Sequence, residues 1–197
     1  PMSKLFSPFV LRQLTLENRI MVSPMCQYSA IDGNAGDWHL IHLGQFALGG
    51  VGLLCIEATA VEAIGRITPG CLGLYSDDNE TAFRRLVTAL RRHADTPLAI
   101  QLGHAGRKGS SHTPWDGGKL MEPKAGGWEP IAPSALPFSP SEPPPREMNA
   151  ADLARVREAF VHAARRAAAL GLDAIELHAA HGYLLHEFLS PLANRRR

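Results

Sequence analysis

The chain has 197 residues, of which 45% are hydrophobic and 20% charged, a composition typical of a globular domain. Its formal net charge of +1 provides no overall field that would favour nucleic acid or an acidic membrane as a partner. No run approaches the ~18 apolar residues of a membrane span, and no signal peptide is expected. Three cysteines, Cys26, Cys55 and Cys71, are odd in number and unclustered, which favours a reducing compartment, by default the cytoplasm.

The first half of the chain predicts a small hairpin followed by two strand–helix units. Loose alternation with turn residues indicates the hairpin at residues 5–16. Residues 19–23 form a short apolar run that ends at a proline, which predicts a strand, and residues 38–48 show helical spacing. The almost continuous apolar run 51–57 predicts a strand covered on both faces, and residues 79–93 predict an amphipathic helix.

The second half repeats this alternation. Residues 98–102 predict a third strand, Asn149 is a good N-cap for a third helix, and residues 172–176 predict a fourth strand. Strands that alternate with helices predict a parallel sheet with right-handed crossovers. Residues 103–148 interrupt the pattern as a long Pro/Gly-rich loop or lid.

His178, His181 and Tyr183 follow the fourth predicted strand, at the carboxyl end where α/β folds place their chemistry. Two imidazoles can donate hydrogen bonds to one oxyanion, and a nearby phenol can deliver a proton. Two alternatives stay open at this point. The histidines are also compatible with a purely structural position at a strand end, and the HxxH spacing with metal chelation, although no third ligand is suitably spaced.

Other distinctive residues also fall at predicted strand ends, which is the pattern of a TIM-type barrel site. Four segments carry a family resemblance: SPMCQYSA at 23–30, EATAV at 57–61, QLGHAGRK at 101–108 and HAAHGYLLHEFLSPLANRR at 178–196. Together they resemble the Old Yellow Enzyme family of FMN-dependent ene-reductases, in its thermophilic-like, cysteine-containing subclass. The resemblance implies an α/β fold of the TIM (β/α)8-barrel family, of which residues 1–197 would form the first four β/α units, a half-barrel.

The resemblance also implies a role for each matching residue. Against the isoalloxazine ring of FMN would lie Ser23, Pro24, Met25 and Cys26, with the Cys26 thiol tuning the flavin potential. Ala60 and Gln101 would contact the pyrimidine side of the ring. Tyr28 would help to hold an activated alkene, whose carbonyl or nitro oxygen would be bound by His178 and His181. Tyr183 would donate the proton, and NADPH or NADH would reduce the flavin.

The family barrel is larger than this chain, since a full barrel takes roughly 250 residues. We therefore expect the flavin phosphate site to lie outside the four units. Exposed apolar sheet edges and an uncovered inner face lead us to expect that the chain is not a monomer, and that a complementary C-terminal half-barrel or a second copy completes it. The alternative is a non-catalytic, self-associating half-barrel that binds flavin weakly or not at all. A metal-dependent hydrolase is disfavoured because the carboxylates are not clustered.

Overall fold

The structure, a computed structural model, describes residues 3–196. Its strands are β1 (Phe9–Leu11), β2 (Leu14–Leu16), β3 (Met21–Val22), β4 (Leu53–Ala60), β5 (Leu98–Gly103), β6 (Ile131–Ala132), β7 (Arg146–Glu147) and β8 (Ala174–Leu177). Its helices are α1 (Asp37–Leu48), α2 (Asp77–Arg91), α3 (Ala150–Ala169) and α4 (Leu184–Leu189). None of the helices in this part of the chain is long and apolar enough to cross a membrane.

A four-stranded parallel sheet in the order β3-β4-β5-β8 forms the centre of the fold. Each strand of this sheet pairs with the next strand of the same sheet in chain order, and α1, α2 and α3 lie in the connections between them. The predicted α/β alternation and parallel pairing are therefore confirmed. Strand β3 is shorter than the predicted strand 19–23, and β4 continues past the predicted end at residue 57 as far as Ala60. Four sequential β/α units with neighbouring pairing are the arrangement of half a barrel.

The outer face of this sheet holds the main hydrophobic core. Side chains such as Leu54, Ile56 and Ile100 are completely buried, and they pack against the apolar stripes of the helices, including Phe83 of α2 and Ala163 of α3. In β4 and β5 the alternate residues point to the opposite face. The helices therefore cover the outer face of the sheet, and the inner face is available for other contacts.

The inner face is partly covered, which corrects the expectation that it is exposed to water. Leu53, Cys55 and Ala99 are all nearly buried there, in one cluster with Leu14 and Leu16 of the β1–β2 hairpin. The hairpin was predicted at residues 5–16 and is confirmed, with Phe9 opposite Leu16. Its packing across the inner face depends on tertiary contacts that the local pattern does not encode. The hairpin closes the end of the sheet opposite the strand carboxyl ends.

The predicted start of the third helix is also confirmed. The Asn149 side chain accepts a hydrogen bond from the Asp152 N–H at 2.9 Å, and the Asp152 carboxylate accepts one from the Asn149 N–H at 3.0 Å, so the two form a reciprocal capping box. Arg146 and Arg155 both pair with Asp152 and hold its pKa below the ordinary value. This ion-pair cluster fixes α3 to the end of the long loop.

The segment 103–148 is irregular but well connected. It contains three single-turn 3₁₀ helices and the short parallel pair β6–β7. The Trp128 indole N–H donates to the Ile64 carbonyl at 2.9 Å, and the Trp128 backbone N–H donates to the Ser110 hydroxyl at 2.7 Å. The bond to Ile64 attaches the segment to the loop that follows β4, on the side of the strand carboxyl ends, and the bond to Ser110 ties two parts of the segment together.

Both sheet edges expose apolar side chains. Met21 of β3 is 44% exposed, and Ile175 and Leu177 of β8 are 40% and 57% exposed. The prediction of two unprotected apolar edges is confirmed.

Candidate active site

The side chains predicted to be functional lie around the carboxyl ends of β3, β4, β5 and β8. His178, His181 and Tyr183 form a close cluster at the end of β8. The rings of His178 and His181 are 5.2 Å apart between centroids, and those of His178 and Tyr183 are 4.7 Å apart, both edge to face. The two predicted oxyanion donors and the predicted proton donor therefore share one small region of the rim.

His178 presents its Nε2 atom to the site. Its Nδ1 atom accepts a hydrogen bond from the Ala180 N–H at 3.3 Å, which assigns the ring proton to Nε2 in the neutral form. Burial lowers the pKa of His178, and the neighbouring His181 lowers it further. His178 is thus a neutral imidazole at pH 7 whose Nε2–H can donate to a ligand oxygen.

The backbone of the rim is left-handed at two of the predicted site residues. Tyr28 has φ 53° and His181 has φ 56°, a region that residues other than glycine adopt at a cost. The carbonyl of Tyr28 is approached closely by Gly70, where a Cβ atom would lie 2.6 Å from the oxygen. Gly182 follows His181 and also has a positive φ, 75°. The turn after β8 thus contains two consecutive residues with positive φ, and the rings of His181 and Tyr183 both lie against the ring of His178.

The two site tyrosines are both strongly protonated phenols. Burial, followed by the neighbouring Cys26, raises the pKa of Tyr183 well above its ordinary value of 10. Burial also raises the pKa of Tyr28 to about 12. The Tyr28 ring is supported edge to face by Trp115 of the long loop, 5.3 Å between centroids. Tyr183 consequently retains its proton across the neutral range, as a proton donor requires.

Two of the three cysteines, Cys26 and Cys71, belong to different loops of the rim. Cys71 is the first cause of a raised pKa at Cys26. Cys71 lines a small cavity together with His178 and Tyr183. All three cysteines are free thiols. Cys71 is therefore a site residue that the sequence analysis missed, since linear spacing gave no signal for it.

A second residue that the sequence did not single out is Lys108. Its ammonium group donates to the His181 carbonyl at 3.0 Å and lies 5.0 Å from the centre of the Tyr183 ring. Burial lowers the pKa of Lys108, and the adjacent Arg107 lowers it further. In the sequence, only the position of Lys108 in the segment QLGHAGRK indicated that it could belong to the site. Lys108 holds the turn of His181 and Tyr183 against the β5 loop.

The first rim loop is anchored by a buried carboxylate. Glu57 accepts a hydrogen bond from the Gln27 N–H at 2.7 Å, and its other oxygen lies 3.6 Å from Nε2 of the buried His39. Both side chains are nearly inaccessible to solvent. Through Glu57 and His39, the loop that contains Cys26 is therefore fixed to β4 and α1.

The residues predicted to bind flavin lie at the same rim. Some of their hydrogen-bonding groups are free to pair with a flat heterocycle. Within residues 3–196 no backbone carbonyl accepts a hydrogen bond from the Met25 or Cys26 N–H, so two donors point from a partly exposed loop without a backbone partner. Ser23 is exposed and Pro24 partly so. These features are consistent with a ring that offers heteroatom acceptors at this position.

Ala60 and Gln101 are more constrained than expected. The Ala60 N–H donates to Leu72 and its carbonyl accepts from Leu74, so only its methyl group is left for a ligand. The Gln101 side-chain nitrogen donates to Glu176 across the β5–β8 pair at 2.6 Å, which leaves the amide oxygen as the available group. Their contact with the pyrimidine side of a flavin stays a prediction. Among the described residues, no group of three or more His, Cys, Asp or Glu side chains could hold a metal ion.

Comparison with known proteins agrees with this geometry. Residues 4–197 match the model of the NADH:flavin oxidoreductase / NADH oxidase family, whose flavin is FMN. An NADPH dehydrogenase of Geobacillus thermodenitrificans is 48% identical over 195 residues, which are 98% of this chain and 53% of that protein.

Two solved structures extend the comparison to the fold. The complex of morphinone reductase with tetrahydroNAD has a TM-score of 0.83 at 28% identity over 99% of this chain and 54% of that one. A 2-naphthoyl-CoA reductase complex has a TM-score of 0.83 at 26% identity over 98% of this chain and 30% of that one. The chain spans about half the length of the curated relatives that it matches. The expected Old Yellow Enzyme-type barrel and flavin cofactor are confirmed at the level of the family, and the chain belongs to the NADH:flavin oxidoreductase / NADH oxidase family.

Proposed function

We propose that this chain supplies the substrate-binding and proton-donating part of an FMN-dependent ene-reductase. The enzyme would reduce C=C bonds conjugated to a carbonyl or nitro group, with hydride from NADPH or NADH. The observation that carries the proposal is the cluster of His178, His181 and Tyr183, in which two potential oxyanion donors adjoin a protonated phenol. When bound, FMN supplies the hydride chemistry, and the residues of this chain determine what it acts on.

The first task of these residues is to bind the electron-withdrawing group of the alkene. The neutral His178 would donate its Nε2–H to the carbonyl or nitro oxygen, and His181 would donate a second hydrogen bond. Negative charge builds on this oxygen as hydride reaches the β-carbon, so both hydrogen bonds strengthen in the transition state. A neutral donor suits this role because its partner becomes negative only during the reaction.

The second task is to deliver a proton to the α-carbon. Tyr183 retains its phenolic proton because burial raises its pKa, and it becomes a stronger donor as negative charge develops on the bound substrate. The ammonium group of Lys108 lies beside the ring and favours the phenolate that remains after transfer. Tyr28, which lines one cavity together with Tyr183, would help to hold the substrate.

A complementary partner is part of the proposal. The exposed edges at Met21 and at Ile175 and Leu177 present unpaired strands. Between α3 and α4 an apolar groove of about 460 Å³ is lined by side chains that include Leu153, Phe160 and Phe188. We propose that four further β/α units, on a complementary half-barrel or a second copy, cover these surfaces and complete the flavin site. The enzyme acts in the cytoplasm, where its free thiols stay reduced.

The test follows the two half-reactions separately. The protein is loaded with FMN, reduced anaerobically with NADPH, and mixed with 2-cyclohexenone or a nitroalkene. We expect the alkene to reoxidise the flavin and yield the saturated product. His178→Ala should slow reoxidation by ~10²-fold or more, as for loss of one oxyanion donor. The exposed His162 of α3 provides the control His162→Ala.

Two results would contradict the proposal. If the protein binds no FMN in any assembly state, the non-catalytic alternative is correct. If FMN binds and is reduced but the alkene reoxidises it equally fast in His178→Ala, the histidine cluster does not bind the substrate. Sedimentation at low micromolar concentration tests the partner: a folded monomer of this chain would exclude the requirement for a complement.

A further inference from the structure

A second cavity, of about 140 Å³, adjoins the candidate active site. Tyr28 and Tyr183 line it together with residues of the long segment 103–148, which include Arg107 and Lys108. We call it the basic cavity. Tyr183 also lines the smaller cavity of about 20 Å³ beside His178, so the two cavities share this side chain. A ligand that contacts Tyr183 can therefore extend into the basic cavity.

The basic cavity has more positive than negative charge. Arg107 and Lys108 line it, against one carboxylate, that of Glu142. A Glu142 oxygen accepts a hydrogen bond from the Leu120 N–H at 2.9 Å, which engages this carboxylate with the backbone of the long segment. Within residues 3–196, no carboxylate forms an ion pair within 4.0 Å of the Arg107 or Lys108 side chain. Both side chains are partly buried, so water and salt screen their charges weakly.

The protein satisfies the Arg107 guanidinium only in part. The hydrogen bonds of this side chain to the described residues are two long ones, both 3.4 Å from Nη1 to the carbonyls of Leu136 and Pro137. Its Nε atom is buried and has no hydrogen-bond partner among residues 3–196. A buried donor without an acceptor is costly, and a guanidinium binds a carboxylate more strongly than it binds a neutral carbonyl. An anion in the cavity would balance this charge.

Lys108 connects the basic cavity to the predicted proton donor. Its Nζ atom lies 5.0 Å from the centre of the Tyr183 ring and 4.8 Å from that of the Phe138 ring. One ammonium proton is donated to the His181 carbonyl, and an ammonium group has three. Lys108 can therefore hold the turn of His181 and still donate to a ligand in the cavity.

The buried Glu187 does not neutralise these two cations at pH 7. It accepts a hydrogen bond from the Arg107 backbone N–H at 2.9 Å. Burial raises the pKa of Glu187 to about 8, against the opposing effects of Arg107 and Lys108. The carboxyl group is therefore mostly protonated at pH 7, and the positive charge of the cavity stays uncompensated.

We infer that the basic cavity binds a carboxylate carried by the alkene substrate, a few bonds away from the double bond. The inference rests on the proposed ene-reductase function and names its substrate class, unsaturated ketones or nitroalkenes with an acidic side chain. A nicotinamide dinucleotide also carries anionic groups, but a ribose separates its phosphates from the nicotinamide ring. The short distance between Lys108 and the Tyr183 ring favours the closer spacing of a substrate carboxylate.

The first arm of the test measures binding without turnover. The FMN-loaded protein is titrated by calorimetry with 4-hydroxyphenylacetate and with 4-hydroxyphenylacetamide, two phenols of similar shape that differ in the charge of the side chain. We expect the carboxylate to bind ~10-fold more tightly than the amide at low ionic strength, because its hydrogen bonds are charge-assisted. Added salt should reduce this preference.

Substitutions of Arg107 assign the preference to the basic cavity. Arg107→Gln should weaken binding of the carboxylate ~10-fold more than binding of the amide, and Arg107→Lys should retain part of the preference. The exposed Arg165 of α3 provides the control Arg165→Gln, which should keep the full preference. The second arm repeats the comparison for flavin reoxidation, with a 2-cyclohexenone that carries an acetate side chain and with the corresponding amide.

Two results would overturn the inference. If the wild type binds both phenols equally well, the basic cavity does not take a carboxylate. If Arg107→Gln weakens binding of NADPH and keeps the preference between the phenols, the cavity holds a phosphate of the nucleotide instead. Failure of the proposed function gives a different pattern: neither cyclohexenone then reoxidises the flavin, and the phenol titrations still decide whether a carboxylate binds.

Discussion

Glu187 should make the folded protein less stable as the pH rises. It lies in α4 and is only 1% exposed. One carboxylate oxygen accepts a hydrogen bond from the Arg107 N–H at 2.9 Å, and the other has no partner among the described residues. Burial raises the pKa of Glu187 to about 8, against the opposing effects of Arg107 and Lys108. At pH 7 the folded protein therefore holds a neutral carboxylic acid at this position.

The direction and size of the effect follow from linkage. The folded state binds this proton more tightly than the unfolded state, whose carboxyl has a pKa near its ordinary value of 4.5. Between these two pKa values the folded state carries more protons, so stability falls as the pH rises from about 4.5 to about 8. The full loss is on the order of 5 kcal/mol, a large part of the stability of an ordinary domain.

Glu187→Gln should remove this dependence, because glutamine can accept the Arg107 hydrogen bond and cannot ionise. Urea unfolding, followed by circular dichroism, should give similar stabilities for the variant and the wild type near pH 5. Near pH 8.5 the variant should be more stable by ~3–5 kcal/mol. Curves that fall in parallel over this range would refute the reasoning, since Glu187 would then be ionised in the fold.

Glu62 provides a matched control, for which the change of stability with pH has the opposite sign. Glu62 is also largely buried, and burial alone would raise its pKa, but hydrogen bonds from His104 and Arg155 outweigh burial and lower it. A lowered carboxyl pKa stabilises the fold above the unfolded value and loses that contribution as the pH falls. Glu62→Gln should therefore be less stable than the wild type at pH 7, with a difference that shrinks in acid.

Three further outcomes are expected. Tyr183→Phe should slow alkene reduction by ~10²–10⁴ in stopped-flow measurements and leave flavin reduction by NADPH unchanged, and equal slowing of both half-reactions would exclude the proton-donor role. Tyr75, whose hydroxyl donates to the Asp32 carbonyl, provides the control Tyr75→Phe, which should affect neither half-reaction. His181→Ala should weaken the long-wavelength charge-transfer band of a phenol titrated into the FMN-loaded protein, and an unchanged band would return this histidine to a structural position. Asn149→Ala should destabilise the fold by about 1 kcal/mol in urea unfolding through loss of the α3 cap, and an unchanged midpoint would show that the capping box contributes nothing.

Sequence reasoning predicted the features that local pattern and topology determine. The Asn149 cap and the parallel order of the strands follow from short-range spacing and from the rule for β/α connections. His178, His181 and Tyr183 could be placed together because they lie within one turn after a single strand. For such groups, proximity in the sequence nearly guarantees proximity in space.

The approach of the rim loop that contains Tyr28 to the loop that contains Cys71 could not be predicted in this way. That approach requires a glycine at position 70, beside the Tyr28 carbonyl. The hairpin across the inner face was likewise invisible, because Leu14 and Leu16 have the same alternation whichever surface they cover. Neither feature has a periodic signal, since each is determined by tertiary packing.

The left-handed backbone at Tyr28 and His181 implies a trade-off between robustness and activity. Each residue occupies a conformation that costs of order 1–2 kcal/mol and that glycine adopts freely. Replacing either by glycine would relieve this strain and remove a side chain to which the proposed function assigns a role in binding the substrate. Random mutagenesis selected only for thermal resistance should therefore accumulate glycine at these positions. Selection that also demands turnover should keep the strained residues and find its stabilising changes elsewhere in the barrel.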